Sequence, residues 1–198
     1  MKTMVIFGSG GQIGSAIYDY FKNSTVKNKF FVVPLSHKDC DITARQKVME
    51  CVDVINNAVG IDIVINCAGT VEFSPLGLMD ESVKNKLLEV NIKGLINIVE
   101  SVVPYMVEKG GYVINLSSIR GITGCPDKAI YSATKFANQG YIDSIRAEFK
   151  DTPLKFTNIC PGKLGHSVTG EDIAKTVEYL ISLSDITTVR DIILGGML

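Results

Sequence analysis

A short apolar stretch that runs directly into closely spaced glycines constrains the fold of this chain more than any other feature. Residues 4–7 are all apolar, and glycines stand at positions 8, 10, 11 and 14. Residues 15–22 then place apolar side chains at helical spacing. A strand, a glycine turn and a helix in this order are the context in which a turn backbone binds a dinucleotide pyrophosphate. A glycine-rich turn without a ligand is the alternative.

The glycine turn supplies the first group of predicted cofactor-binding residues. Gly8 permits the tight turn, and Gly10 and Gly11 let backbone amides approach the pyrophosphate. Gly14 lets the helix pack closely on the sheet, and the helix N-terminus offers free N–H groups to the phosphates. The predicted group is Gly8, Ser9, Gly10, Gly11, Gln12, Ile13 and Gly14.

The rest of the chain alternates between apolar stretches and helical patterns. Strands are predicted at 4–7, 29–35, 61–66, 112–116, 154–160 and 189–194, and helices at 15–22, 44–57, 81–108, 129–150 and 170–183. We expect the third helix to be disturbed near Pro104, because an interior proline removes a backbone hydrogen bond. The alternation predicts an α/β fold, a Rossmann-type doubly wound parallel sheet with helices on both faces. With 198 residues, the chain is expected to form a single domain, 1–198.

The end of the second predicted strand is where a dinucleotide fold reads the adenosine ribose. An acidic side chain at this point favours a free 2′-hydroxyl, and a basic one favours a 2′-phosphate. Here Ser36, His37 and Lys38 follow the strand, and the first carboxylate comes only at Asp39. The three side chains favour NADP(H), with NAD(H) as the open alternative.

A tyrosine and a lysine four residues apart suggest acid–base chemistry. Tyr131 and Lys135 fall on one face of a predicted helix, with Cβ atoms roughly 5–6 Å apart. A nearby ammonium favours phenolate, so we expect Lys135 to lower the pKa of Tyr131. Ser118 stands 13 positions before the tyrosine, at the end of a predicted buried strand. By itself the tyrosine–lysine spacing also fits an ordinary solvated helix face.

Together these residues resemble the short-chain dehydrogenase/reductase family along essentially the whole chain. The matching positions occur in the family's order, and they are the glycine turn, Asp41, Asn66 to Gly69, Asn91, Ser118, Tyr131, Lys135, Pro161 and Gly162. The resemblance implies an oxidoreductase that interconverts a small-molecule carbonyl and alcohol by hydride transfer.

The resemblance also implies a role for each catalytic candidate. Tyr131 would be the proton donor or acceptor, and Ser118 would hydrogen-bond the substrate oxygen. Lys135 would lower the pKa of Tyr131 and bind the nicotinamide ribose, and Asn91 would hold a water that links Lys135 to solvent. Ser117 is the neighbouring alternative to Ser118.

Further cofactor contacts follow from the same resemblance. Asp41 and Ile42 would lie near the adenine, and Asn66, Ala68 and Gly69 would lie against the adenosine half. Pro161 and Gly162 would flank the nicotinamide. Phe73, Arg120, Cys125, Lys163 and His166 are candidates for the substrate side, outside the catalytic assignment.

Three departures from the family pattern leave other functions open. The spacing of Gly8, Gly11 and Gly14 is typical of the extended, sugar-nucleotide members, so a nucleotide-sugar epimerase or dehydratase is one alternative. The second strand almost reaches Asp41, which predicts six strands instead of seven. Only residues 163–168 separate Gly162 from the last helix cap, which leaves no room for a substrate lid. A dinucleotide-binding regulator without turnover is therefore the second alternative.

Bulk composition excludes some partners. A net charge of −1 and a pI near 6.1 provide no electrostatic footprint for nucleic acid or acidic membranes. No apolar run approaches the ~18–20 residues that span a bilayer. The five cysteines lack metal-type spacing, so no metal site is predicted and we expect a reduced, cytoplasmic protein. By resemblance, we expect a homodimer or homotetramer.

Overall fold

Six parallel strands form one sheet in the computed structural model, which describes residues 1–23 and 27–195. The strand order is β2-β1-β3-β4-β5-β6. The strands are β1 (Lys2–Phe7), β2 (Phe30–Leu35), β3 (Ile63–Asn66), β4 (Gly111–Leu116), β5 (Leu154–Pro161) and β6 (Asp191–Leu194). All five neighbouring pairs are parallel. The predicted number and direction of the strands are confirmed, and all carboxyl ends meet at one edge.

Helices cover both faces of this sheet. They are α1 (Gln12–Asn23), α2 (Arg45–Val59), α3 (Glu81–Leu88), α4 (Gly94–Met106), α5 (Ala129–Glu148) and α6 (Gly170–Ser182). Side chains along β1 alternate between the faces, as the pleat requires. Met4 and Ile6 pack with α1 and α6, while Val5 and Phe7 pack with α2, α4 and α5. The predicted doubly wound α/β fold is confirmed.

The third predicted helix differs from expectation. It is not continuous over 81–108, because a π-helical turn, Glu89–Lys93, separates α3 from α4. The expected disturbance near Pro104 is wrong, since α4 continues through Pro104 to Met106. Pro104 lies in the last turn on the exposed side, together with Glu100, whose backbone carbonyl loses its hydrogen bond there. The irregularity therefore falls at Asn91 and not at the proline.

Two connections are as short as the sequence predicts. After β2, the chain reaches Asp41 within six residues and enters α2 at Arg45, and β3 pairs directly with β1. After β5, a compact turn with a bridge between Leu164 and Val168 leads straight to Thr169. Thr169 and Asp172 form a capping box at the start of α6. None of the helices in the described ranges is long and apolar enough to cross a membrane.

Candidate active site

A cavity of about 910 Å³ opens at the carboxyl edge of the sheet, where β1, β2 and β3 end. Ten predicted cofactor residues line it: Gly8, Gly10, Gly11, Ser36, His37, Lys38, Asp41, Ile42, Ala68 and Gly69. The sequence did not predict the other residues that line the cavity, which are Cys40, Thr43, Cys67, Thr70, Lys86, Glu89 and Val90. The first four adjoin predicted residues in the chain. The last three belong to α3 and the π-helical turn, and no sequence motif signals their approach.

The other predicted cofactor residues lie outside the lining of this cavity. They are Ser9, Gln12, Ile13, Gly14, Asn66, Tyr131, Lys135, Pro161 and Gly162. Pro161 is the last residue of β5, and the Gly162 N–H donates to the Leu194 carbonyl at 2.8 Å. These two residues therefore lie at the same edge of the sheet, beyond the cavity.

Two glycines of the turn are required by packing within the chain. Gly8 has a φ of 78°, and a Cβ on it would lie 2.5 Å from the backbone nitrogen of Ala68. A Cβ on Gly14 would collide with the Gly8 carbonyl oxygen. At Gly11, by contrast, a Cβ would meet nothing closer than 3.4 Å. Space beside Gly11 thus remains for the close approach of a ligand, as in the predicted phosphate contact.

Hydrogen bonds order the loop that follows β2. The Asp39 carboxylate accepts from the Ser36 N–H at 2.8 Å and from the Ser36 hydroxyl at 2.6 Å, which lowers the pKa of Asp39. Asp41 accepts from Thr43 in the same way, and His37 Nδ1 lies 3.8 Å from Asp41 Oδ1. Asp39 does not line the cavity, whereas His37 and Lys38 do. His37, Lys38 and Asp41 therefore lie at the cavity, and the Asp39 carboxylate, which is bonded to Ser36, lies outside its lining.

A buried asparagine holds the turn after β3 against α5. Asn91 Oδ1 accepts from the Thr70 N–H at 2.8 Å, and Nδ2 donates to the Thr70 carbonyl at 2.8 Å and to Thr134 Oγ1 at 3.1 Å. The π-helical turn carries Asn91, and such turns occur frequently at functional sites. The side chain of Asn91 is thus fixed by protein partners, and its role in a proton relay stays a prediction.

Asparagines on three neighbouring strands form a buried ladder. Asn66 Nδ2 donates to Asn115 Oδ1 at 2.9 Å, and Asn115 Nδ2 donates to Asn158 Oδ1 at 3.0 Å. Asn66 Oδ1 also accepts from the Ala68 N–H at 3.1 Å, which shapes the turn that enters the cavity. Asn115 and Asn158 were missed because their strands read only as apolar stretches.

Lys135 is almost fully buried, with 5% of its surface exposed. Its Nζ donates to the Leu116 carbonyl at 3.1 Å and lies 5.9 Å from the centre of the Tyr131 ring. Burial lowers the pKa of Lys135 to about 8, and the Cys160 and Cys67 thiols counteract part of this effect. The ammonium of Lys135 is therefore held beside the end of β4 at a high desolvation cost.

Tyr131 has a raised pKa, so the expectation that Lys135 lowers it is wrong for this structure. Burial is the main cause of the rise. A hydrogen bond with Ser118 and the charge of Arg120 work in the opposite direction. Lys135 is directed at the Leu116 carbonyl instead. Tyr131 consequently keeps its proton at neutral pH in this arrangement.

The Ser118 hydroxyl lies close enough to Tyr131 to oppose the rise in the pKa of that tyrosine. Ser118 precedes a short 3-10 turn, and its hydroxyl oxygen accepts from the Arg120 N–H at 3.1 Å. This contact fixes the hydroxyl at the end of β4. Ser118, Tyr131 and Lys135 thus come together at the same edge of the sheet as the cavity.

Phe73 is the substrate-side candidate whose ring packs against Tyr131. Its ring meets Tyr131 edge to face at 6.4 Å, and Lys128 Nζ lies 4.2 Å from its centre. The Arg120 guanidinium donates to Thr123 Oγ1 and to the Gly124 carbonyl. Cys125 is half-buried in the following turn, and Lys163 and His166 are exposed in the turn after β5.

Comparison with known proteins identifies relatives over most of the chain. The sequence profile of the short chain dehydrogenase family matches residues 22–176. An uncharacterised oxidoreductase of Staphylococcus aureus strain MW2 is 28% identical over 220 residues, covering 96% of this chain and 95% of the relative. Another from Staphylococcus saprophyticus is 28% identical over 192 residues, covering 86% and 81%. The first alignment is longer than this chain of 198 residues, so that relative contains segments that this chain lacks.

Three solved structures share the fold. Serine dehydrogenase from Escherichia coli has a TM-score of 0.85 at 21% identity, covering 98% of this chain and 97% of its own. Alcohol dehydrogenase from Thermococcus sibiricus, complexed with 5-hydroxy-NADP, has a TM-score of 0.85 at 20% identity, with coverage of 98% and 96%. ElxO with NADP bound has a TM-score of 0.84 at 21% identity, with coverage of 98% and 96%.

Burial of Lys135 predicts a change of stability with pH. Its folded pKa of about 8 lies below the 10.5 of a free lysine, so the unfolded chain binds more protons between these values. The free energy of unfolding contributed by Lys135 therefore rises from about pH 8 to about pH 10.5. We expect Lys135→Met to abolish this rise, which chemical denaturation should measure as about 1–3 kcal/mol.

The matched control for this experiment is Lys150→Met, which removes one lysine at an exposed position. Subtracting its pH profile corrects for the loss of one charge. If wild type and Lys135→Met have parallel profiles up to about pH 10.5, the lowered pKa of Lys135 is wrong.

Proposed function

The chain belongs to the short-chain dehydrogenase/reductase family, and from this premise we propose that it is an NADP(H)-preferring oxidoreductase acting on a carbonyl/alcohol pair. The observation that carries the proposal is the convergence of Ser118, Tyr131 and Lys135 at the edge where the dinucleotide cavity opens. A dinucleotide-binding protein without turnover does not need an acid–base group of this kind beside its cavity.

Residues of the cavity suit a dinucleotide. The turn from Gly8 to Gly11 lies at the cavity wall. Within the turn, the Gly8 and Ser9 N–H groups donate to the Leu35 carbonyl, and the Gly11 N–H donates to the Gly8 carbonyl. We assign the pyrophosphate to this turn and to the start of α1. The adenosine end would lie against Asp41, Ile42 and Ala68. The nicotinamide, when bound, supplies or accepts the hydride, and the protein manages the proton.

The preference for NADP(H) rests on the loop after β2. Lys38 and His37 line the cavity, and the Asp39 carboxylate is occupied by Ser36. At this loop a ribose 2′-phosphate would therefore meet Lys38 and His37, while Asp41, which also lines the cavity, is hydrogen-bonded to Thr43. ElxO and the Thermococcus sibiricus enzyme, similar in fold, were solved with NADP and an NADP derivative respectively, which also supports this cofactor.

Tyr131 is proposed to move the proton. Its raised pKa keeps the phenol protonated at neutral pH, which suits a proton donor to a carbonyl oxygen during reduction. The Ser118 hydroxyl, fixed by the Arg120 N–H, would donate to the same oxygen as negative charge develops on it. Lys135, with a pKa near 8, would stabilise phenolate after the transfer and bind the nicotinamide ribose.

A nucleotide-sugar epimerase or dehydratase remains the second candidate because of the Gly8, Gly11 and Gly14 spacing. Against it, only the short 163–168 turn connects β5 to α6, which leaves little chain there for binding a nucleotide sugar. An epimerase recycles its cofactor, so turnover of nucleotide sugars without net consumption of NADPH would favour this candidate over ours.

Replacement of Tyr131 tests the chemical role. We expect Tyr131→Phe to lower kcat by about 10²–10⁴-fold, because the proton donor is lost. The dissociation constant for NADPH should stay within a few-fold, since the ring and its packing remain. Both are measured by following NADPH oxidation over a panel of aldehydes and ketones and by nucleotide titration.

Tyr179→Phe is the control, because Tyr179 is exposed on α6 and away from the site. It should behave like wild type. Full activity in Tyr131→Phe would exclude Tyr131 as the proton donor, and a wild-type protein inactive on every carbonyl tested would count against the proposed reaction.

Replacement of Lys38 tests the cofactor preference. NADPH should raise the melting temperature of the wild type more than NADH at equal concentration, because only NADPH offers a 2′-phosphate. A ligand at about 100 times its dissociation constant adds roughly 2.7 kcal/mol of stability. Lys38→Ala should remove most of the difference, whereas Lys150→Ala should keep it. Equal responses of wild type to both nucleotides would contradict the NADP(H) preference.

We also propose that the protein is a homodimer or homotetramer. Ala133, Phe136, Ala137 and Gly140 are exposed along one side of α5. Small side chains let a second helix approach closely, and a large aromatic side chain is a typical interface anchor. Sedimentation at tens of micromolar should find an oligomer, and Phe136→Glu should weaken it by about 10²-fold. Tyr179→Glu on α6 is the control. A wild-type monomer would refute the proposal.

A further inference from the structure

A second cavity lies at the opposite, amino-terminal edge of the sheet. It has a volume of about 340 Å³ and is bounded by the starts of β1, β3, β4 and β5. Three lysines line it, Lys2, Lys109 and Lys155, together with two aspartates, Asp62 and Asp185. None of these residues belongs to the candidate active site, and the proposed oxidoreductase function gives them no task.

Lys155 is the unusual member of this group. It belongs to β5 and exposes only 8% of its surface. Its Nζ donates to the Ser184 carbonyl at 3.4 Å and lies 4.7 Å from the centre of the Tyr112 ring. An ammonium has three N–H donors, and this is the one protein hydrogen bond that Nζ makes within residues 1–23 and 27–195. A buried ammonium so poorly compensated is costly to the fold.

The carboxylates near Lys155 do not neutralise it. Asp62 Oδ2 accepts from the Thr3 N–H at 2.7 Å, and Oδ1 lies 3.7 Å from Lys109 Nζ, so both oxygens are engaged elsewhere. Asp185 attracts Lys155, but it is exposed and forms no ion pair with it in the described chain. Burial lowers the pKa of Lys155, and repulsion from Lys2 adds to the effect. Two ammonium groups therefore repel one another across this cavity.

From this placement we propose that the cavity binds a phosphate-sized oxyanion between Lys155 and Lys2. An oxyanion would accept the unused N–H donors of Lys155 and relieve the repulsion between the two ammonium groups. Lysine binds phosphate as a compact point charge, and the cavity is large enough for a phosphate group and a small ester substituent. Tyr112 also lines the cavity, but its hydroxyl is paired with Thr157 Oγ1 at 2.7 Å. The hydroxyl is therefore not counted among the donors to the anion.

The test is the melting temperature of the apoprotein in inorganic phosphate and in sodium chloride at equal ionic strength. We expect phosphate at about 100 times its dissociation constant to raise the melting temperature of wild type by about 5 °C over chloride. Lys155→Met should lose this response, because methionine preserves the length of the side chain and removes the charge. In chloride, Lys155→Met should melt no lower than wild type, since a buried ammonium has gone.

Lys150→Met is the matched control and should respond like wild type, because Lys150 is exposed outside the cavity. Phosphate bound at the glycine turn would stabilise both lysine variants alike, because neither substitution alters that turn. Comparing the two variants therefore removes this contribution. Titration with methyl phosphate distinguishes the source of the oxyanion. Tighter binding than inorganic phosphate indicates a phosphate ester, and weaker binding indicates the free ion.

Two results would overturn the proposal. One is an equal response of wild type to phosphate and chloride, and the other is a phosphate response retained in Lys155→Met. If Lys155→Met does not fold, Lys2→Met serves instead, because Lys2 is exposed at the start of β1. It should weaken phosphate binding by about 2- to 5-fold, and unchanged binding would again refute the site. Nucleotide binding and carbonyl reduction are measured in separate assays. A negative result in those assays would therefore not change the outcome of the phosphate test.

Discussion

Parallel pairing of all six strands is the constraint on which the rest of this structure depends. Parallel strands need helical crossovers, so each strand ends at the same edge and each helix covers a face. That edge collects the glycine turn after β1, the loop after β2, the turn after β3 and the serine after β4. Neither the cavity nor the catalytic candidates could assemble if one of these strands were reversed.

A buried lysine lies at each edge of the sheet, Lys135 at the carboxyl edge and Lys155 at the amino edge. Lys135 is nearly enclosed at the carboxyl edge, where the Leu116 carbonyl and two thiols surround it. Lys155 is a largely buried residue at the amino edge, where it lines the second cavity beside the Tyr112 ring. A lysine without close carboxylate partners costs stability, and proteins accept such costs where a ligand or a reaction uses the group. A ligand that neutralises either ammonium group would therefore stabilise the folded protein electrostatically.

Short connections after β2 and β5 distinguish this chain from the family pattern. The loop after β2 is short, and the turn at 163–168 contains no lid. The first relative aligns over more positions than this chain has, as expected for a protein that retains such segments. Phe73, whose side chain is half-exposed, meets the more buried Tyr131 edge to face, and Lys128 Nζ lies 4.2 Å from the centre of the Phe73 ring.

The sequence by itself determined the six strands, most of the helices, the parallel α/β class and the short connections, because strand and helix periodicity, glycines and loop lengths are local properties. The tyrosine–lysine spacing and the resemblance to the family also singled out Tyr131, Lys135 and Ser118 as catalytic candidates. Tertiary structure decided what surrounds them. Burial raised the pKa of Tyr131 against the expectation drawn from Lys135, because desolvation depends on neighbours distant in the chain. The π-helical turn at Asn91 and the approach of Lys86 to the cavity likewise arise from packing between helices and sheet, which local patterns do not encode.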